Sequence, residues 1–306
     1  MDPVIQINEM SCRFEKVEAV KNLTLDVPAG SIYAFLGTNG AGKTTTIKTL
    51  LNLIQPTSGT ARVLGVDSTR LGPRDLAKIG YVSENQELPE RLTVRQLIAY
   101  CKALYPTWDD ALCRRLEEKF ALPTDRALKN FSRGMKIKAA LLVSLAYRPE
   151  LLLMDEPFSG LDPLVRDDLV QGMLELSEQE KWTVFISSHD IDEVERLADY
   201  VGMIDNGALT LSESSESLRT RFRRVDAIFG AAPSPALFKE VRLLEISGSS
   251  VRWIESDYTN EEELGARIKA RMPGCTAWTS TPLPLRDIFV SLTRALRAAT
   301  PPPPPL

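Results

Sequence analysis

Gly37-Thr38-Asn39-Gly40-Ala41-Gly42-Lys43-Thr44 is the stretch from which the rest of the chain is read. It satisfies GxxxxGK[ST] at every defined position. An apolar run, Ile32 to Leu36, leads into it, and a helix is expected to begin near Lys43. Glycines at 37, 40 and 42 permit backbone angles that turn successive N–H groups inward around phosphate oxygens. The helix N-terminus adds its dipole, Lys43 reaches the β and γ phosphates, and the Thr44 hydroxyl is set to ligate Mg2+. Thr45 supplies a further donor. The loop implies a nucleotide and magnesium but leaves the reaction open.

A second signal narrows the chemistry. Leu151-Leu152-Leu153-Met154-Asp155-Glu156 is an apolar strand ending in two acids, the form of a Walker B element. Asp155 is the expected holder of magnesium. Glu156 falls at the carboxyl end of the strand, where ligands gather in open α/β sheets, and a base there orients and deprotonates an attacking water. His189, the one histidine of the chain, closes another apolar strand in Val184-Phe185-Ile186-Ser187-Ser188-His189. A lone histidine is ordinarily a surface or core residue. At a strand end parallel to the Walker B strand it is placed to donate to a γ-phosphate or the attacking water.

The surrounding pattern is that of an α/β chain. Short strands are expected at Val4 to Ile7, Leu23 to Val27, Ile32 to Leu36, Thr60 to Leu64 and Ile79 to Val82, separated by proline- and glycine-bearing turns. Thr93-Val94-Arg95-Gln96 has capping-box spacing and opens an amphipathic helix, followed by helices over Asp109 to Phe120 and Met135 to Leu145. Helix is expected again over Pro163 to Leu176 and Ile191 to Ala198, with a buried strand between them at Thr183 to Ile186. Such alternation argues for a parallel sheet covered on both faces. The composition changes near Ser212 to Arg224. Beyond it, Ser247-Gly248-Ser249 marks a hairpin, and Asn260 to Met272 and Asp287 to Ala298 read as helices. Pro301 to Pro305 is expected to be a disordered tail.

Composition excludes several classes. With 43% hydrophobic and 25% charged residues the chain is of globular type, and no apolar run reaches the length of a membrane-spanning helix. Met1 to Met10 has no secretory character, so a cytosolic protein is expected. A net charge of −4 offers no basic excess for nucleic acid, and none is expected as a partner. Cys12, Cys101, Cys113 and Cys275 lack metal-ligand spacing, which argues against a zinc site or a disulfide framework.

Taken together, these motifs resemble the nucleotide-binding subunit of an ATP-binding cassette (ABC) transporter, most closely those of bacterial exporters with a separate permease. The resemblance spans roughly residues 4 to 220. Phe131-Ser132-Arg133-Gly134-Met135 looks like the cassette signature, Ser159-Gly160-Leu161-Asp162 like the D-loop, and His189 like the switch histidine. Phe14 stands where the family places an aromatic that stacks on adenine. The resemblance implies an α/β fold: a P-loop NTPase (RecA-like) core, an antiparallel β subdomain and an inserted helical subdomain at about 87–146. These make up an ATPase domain over 1–221, followed by a small α/β accessory domain over 222–299 and a proline-rich tail over 300–306. It also implies ATP bound by Gly37 to Thr45, Mg2+ held by Thr44, Asp155 and Glu84, and catalysis by Glu156 and His189. Ser132, Arg133, Gly134 and Met135 would then serve the ATP of an opposing subunit, with Asp162 in the D-loop between them. One P-loop and one signature per chain predict a head-to-tail dimer, either with itself or with a similar cassette. That dimer would be peripheral on the inner face of the cytoplasmic membrane through an integral membrane permease.

Two motifs depart from the family pattern. Where the Q-loop carries glutamine this chain has Glu84, with Gln86 two residues on as the alternative equivalent. In the signature, Arg133 replaces the first glycine and Met135 the glutamine; Arg133 either contacts the opposing nucleotide or points to solvent. A soluble cassette acting on ribosomes or DNA is the second reading. Against it, translation factors of this superfamily carry two cassettes, and the span from Lys43 to Asp155 is too short for the coiled coil of a repair ATPase. A nucleotide kinase or GTPase leaves the signature, D-loop and His189 unexplained.

Overall fold

The computed structural model describes residues 2–299 apart from 181 and 239–240, so the polyproline stretch Pro301 to Pro305 lies outside the described residues. Two compact units divide the chain, Met1–Ser212 and Glu213–Leu306. In chain order the strands that build the first are β1 (Ile5–Phe14), β2 (Val17–Val27), β3 (Ile32–Leu36), β4 (Ser58–Val63), β5 (Val66–Asp67), β6 (Ile79–Ser83), β7 (Leu151–Asp155), β8 (Thr183–Ser188), β9 (Tyr200–Asp205) and β10 (Ala208–Ser214). Its helices are α1 (Lys43–Leu50), α2 (Pro73–Leu76), α3 (Val94–Leu104), α4 (Asp110–Phe120), α5 (Arg133–Leu145) and α6 (Pro163–Glu180).

The central sheet has the order β10-β9-β3-β8-β7-β6, and β9, β3, β8, β7 and β6 run parallel. Every residue of β3, β7 and β8 is buried, as continuous apolar runs require when both faces are covered. A second, antiparallel sheet of order β2-β1-β4-β5 shares its core with the first. Ile5, Ile7, Val20 and Leu25 pack in one cluster with Tyr33, Phe35, Ile47, Leu151 and Leu153. This shared core fixes the antiparallel layer beside the loop between β3 and α1.

Helices α3, α4 and α5 form the inserted segment between β6 and β7. Thr93 caps α3: its Oγ1 accepts from Gln96 N at 3.3 Å, and Gln96 Oε1 accepts from Thr93 N at 2.9 Å. Asp109 caps α4 by accepting from Ala111 and Leu112 N–H groups. Its other carboxylate oxygen takes Arg148 Nε at 2.7 Å, and Arg148 Nη1 goes on to Glu180 at 2.6 Å, tying the insert to the end of α6. These bonds hold the Asp109 carboxyl down to about 2. Ser132 caps α5, so the helix starts within the signature itself.

The second unit holds α7 (Ser215–Arg221), β11 (Arg223–Phe229), β12 (Arg242–Ser247), β13 (Ser250–Glu255), α8 (Glu261–Arg271), β14 (Cys275–Pro282) and α9 (Leu285–Ala299). Its sheet, β12-β13-β11-β14, is antiparallel throughout, with the expected hairpin as β12–β13. Trp253 is fully buried, clustered with Val225, Phe229, Phe238, Leu264 and Ile268.

One local reading fails, and several elements, β9, β10, β11 and β14 among them, were not read. Ile191 to Ala198 is not a continuous helix: it closes as a 3-10 turn over Ile191–Glu193, and Val194 and Leu197 N–H groups bond three residues back. Asp190 accepts from Asp192 N at 3.0 Å, and this side-chain bond starts a tight turn in competition with helix. The strands β9 and β10 went unread although Asn206-Gly207 between them, with φ of 47° and 84°, is a two-residue hairpin signal. Pairing of β9 with β3 and the bond from Ile32 N to Asp199 Oδ2 at 2.9 Å dock that hairpin on the parallel sheet. No described helix is long and apolar enough to cross a membrane.

Leu153 is fully buried in β7 between the two layers. Leu153→Ala is expected to destabilise the fold by about 2–5 kcal/mol. Denaturant unfolding of the purified chain measures the loss.

Candidate active site

Parallel register delivers the site. Ser83 lies opposite Asp155, Asp155 opposite Ser187, and Ser188 opposite Leu36. The residues that follow these strand ends, Glu84, Glu156, His189 and Gly37, therefore emerge side by side at one carboxyl edge.

The loop from β3 is anchored by Gly37 N donating to Ser188 O at 3.1 Å. Gly42 enters α1 with φ of 109°, and a Cβ there would lie 2.4 Å from the Ala19 carbonyl of β2. Only glycine meets both conditions. The turn buries Lys43, whose Nζ donates to Gly37 O at 2.5 Å and Thr38 O at 3.1 Å and pairs with Glu156 Oε1 at 3.0 Å. The lysine and glutamate side chains are 5% and 11% exposed. At that depth neither charge is tolerable alone, and losing one partner of such a pair costs about 3–5 kcal/mol.

Asp155 and Glu156 are separated by function-bearing bonds despite being neighbours. Asp155 Oδ1 accepts from Thr44 Oγ1 at 3.1 Å and from Ser187 Oγ at 2.7 Å. Glu156 takes a left-handed backbone, φ of 52°, while its N–H donates to Ser187 O at 3.2 Å and Oγ at 3.1 Å. That turn sends its carboxylate back over the P-loop lysine. Glu156 Oε2 accepts from His189 N at 3.3 Å and stands 2.7 Å from His189 Nδ1. The hydrogen bond to Glu156 raises the His189 pKa above its ordinary value against the opposing effect of burial. Glu193, bonded at 2.5 Å by Ser188 Oγ, is also raised, because it is buried.

Glu84 donates its N–H to Asp155 O at 2.9 Å, and its side chain lines the cleft. Its Oε1 accepts from Arg133 Nη2 at 2.5 Å and from Ser159 Oγ at 3.2 Å. Arg133 thus turns onto Glu84 of its own chain. Gln86 Oε1 accepts from Ser83 N at 3.4 Å and closes its own turn.

The cleft, of about 330 Å³, is lined by Ala19, Asn39, Gly40, Gly42, Lys43, Thr44, Thr45, Glu84 and Glu156. Phe14 is half-exposed at the β1–β2 turn and is not among these residues. Nor are Ser132, Gly134 and Met135, which form the start of α5, or Asp162, whose Oδ1 accepts from Leu164 N at 2.9 Å ahead of α6. Sequence reasoning missed Ala19, Ser187 and Glu193, and it named Ser159 in the D-loop without its bond to Glu84. A signal for Ser187 was visible, since two serines end an otherwise apolar strand.

The family model described as ABC transporter matches residues 20–159. The chain is 34% identical to the bacitracin transport ATP-binding protein BcrA of Bacillus licheniformis, over 73% of this chain and 74% of that protein. The chain belongs to the ABC transporter family. It is the ATP-binding subunit of such a transporter and an ATPase, with the α/β P-loop core, antiparallel β subdomain and helical subdomain of the family. The cassette is also 24% identical to the ABC transporter ATP-binding protein YtrB of Bacillus subtilis over 94% of this chain and 97% of that protein, so the similarity runs on through the second unit. Among solved structures, the dimeric cassette MJ0796 superposes with a TM-score of 0.62 at 20% identity, over 69% of this chain and 98% of that one, and shares the fold.

The His189–Glu156 bond makes stability pH-dependent. A folded pKa raised above the ordinary histidine value of about 6.5 contributes fully below that value and is lost as pH rises through the folded one. The melting temperature of His189→Gln is therefore expected to fall below wild type at about pH 6 and to converge on it by about pH 9. Thermal denaturation without nucleotide checks this.

Proposed function

We propose that two such cassettes pair head to tail and drive export through a separate integral membrane permease. The observation that carries the pairing is the composition of the cleft. Its lining comes from the P-loop, Ala19, Glu84 and Glu156, with no residue of Ser132, Arg133, Gly134 or Met135 among them. A signature from a second chain would complete it. Dimers are known among cassettes of this fold, MJ0796 being one. Export is supported by the likeness to the bacitracin transport protein BcrA. The pair would lie peripherally on the inner face of the cytoplasmic membrane, with residues 222–299 as an accessory domain.

Each residue then has a part in turnover. Backbone N–H groups of Gly37 to Thr45 and the Lys43 ammonium bind the β and γ phosphates. Phe14 stacks on adenine. Thr44 and Asp155 present hard oxygen donors 3.1 Å apart, a donor set that suits Mg2+, while the Glu84 carboxylate is engaged by Arg133 and Ser159. Magnesium, when bound, neutralises phosphate charge. Glu156 accepts the proton of the attacking water, and His189 holds that carboxylate and senses the γ-phosphate. Ser132 and Gly134 meet the opposing ATP, and Asp162 lies in the D-loop between the two sites.

Glu156→Gln is expected to bind ATP, elute as a dimer with it, and turn over about 10²–10⁴ times more slowly. Size-exclusion chromatography and phosphate release measure both; near-normal turnover would remove Glu156 as the base. The permease is tested by purifying tagged protein from gently solubilised membranes. A polytopic membrane protein should co-elute at fixed stoichiometry, and recovery from the soluble fraction alone contradicts the reading.

A further inference from the structure

Two of the departures from the family pattern, Glu84 and Arg133, meet each other in space. Glu84, the acid at the Q-loop position, brings a negative charge to a cleft that must take a triphosphate, where Glu156 and Asp155 already stand. Arg133, the cation at the first glycine of the signature, spans from the start of α5 to Glu84 Oε1 at 2.5 Å. Ser159 Oγ donates to the same oxygen at 3.2 Å, so the Q-loop, signature and D-loop of one chain converge on a single carboxylate. The D-loop leaves room for this. Gly160 has φ of 65°, and a Cβ built there would lie 3.0 Å from Arg133 Nη1.

We propose that Arg133 is a positioning residue of its own chain's ATP cleft: it neutralises Glu84 and holds that carboxylate aside, so that an acid is tolerated where polyphosphate binds. The inference rests on ATP binding by the P-loop cleft and not on the permease or the export direction. Arg133 and Glu84 form a couple in which each substitution makes the other necessary. Without the guanidinium, Glu84 faces the phosphates as an unpaired like charge. Without the carboxylate, that requirement disappears. Arg133 therefore serves the site of its own chain, while its neighbours Ser132 and Gly134 are assigned to the opposing one.

A double-mutant cycle on the purified full-length chain tests the couple. The readout is equilibrium binding of a fluorescent ATP analogue with magnesium, measured at protein concentrations where the chain is monomeric. R133Q is expected to weaken binding by about fivefold, a size moderated by the partial exposure of both side chains. E84Q placed on R133Q should restore binding to within about twofold of wild type, and R133K, which keeps the charge, should bind like wild type. Additive losses in the double variant, or unaltered binding by R133Q, overturn the proposal. Should R133Q fail to fold, judged by its melting curve, R133K and the double variant still decide, because loss of binding in either one contradicts neutralisation as the role. An Arg133 that instead reached the opposing nucleotide would leave monomer binding intact and lower only ATP-driven dimerisation and kcat. A chain that binds ATP as expected but recovers no permease would disqualify the transport reading and leave this one standing.

Discussion

In-register parallel pairing of β6, β7, β8 and β3 is the constraint on which the site depends. It sets Ser83, Asp155, Ser187 and Ser188 in one row and so places Glu84, Glu156, His189 and Gly37 just beyond it. A slip of one residue on β7 would exchange the faces of Leu153 and Met154 and carry Asp155 away from Thr44. Every residue of β3, β7 and β8 is buried, so such a slip would have to repack side chains on both faces at once. The chemistry is therefore positioned by hydrophobic packing behind it.

At the edge of that apolar slab sits a dense group of charges, each with a partner. Asp155 is held by Thr44 and Ser187, Glu156 by Lys43 and His189, Glu84 by Arg133 and Ser159, and Glu193 by Ser188. Unpartnered, any of the buried members would carry a desolvation cost of several kcal/mol. Several of these pairs link separate motifs. Lys43–Glu156 joins the P-loop to the strand-end acid, and Glu84–Arg133 joins the Q-loop to the signature helix. The left-handed backbone at Glu156 fits this account, since it aims the carboxylate at the lysine and leaves Asp155 with the serine and threonine hydroxyls.

Elements with strong local chemistry were legible. The glycine loop, the apolar strands over 32–36, 151–155 and 183–188, the Thr93 capping box and the Ser247–Gly248–Ser249 turn all correspond to structure formed by residues near one another in sequence. Elements that depend on distant partners were not. The strands β11 and β14 went unread, and their register comes from pairing with one another. The helix read over Ile191 to Ala198 fails for a local reason, the turn closed by Asp190. The domain edge shows the same limit: the ATPase domain was expected to run to 221, yet Arg221 donates to Ser256 O at 2.7 Å and Ser215–Arg221 falls within the second unit.

Residue types and spacing alone determined the class of chemistry, because a phosphate cradle, a strand-end acid pair and a cassette signature each need a fixed local order. They also revealed that Glu84 and Arg133 were unusual. Only the tertiary structure decided that these two side chains, far apart in the chain, satisfy one another, and that Ser187 bridges Asp155 to the backbone of Glu156. The reason is physical: local sequence sets backbone preference and burial tendency, whereas the partner of a charge is chosen by whichever opposite group the packed sheet brings within hydrogen-bond reach.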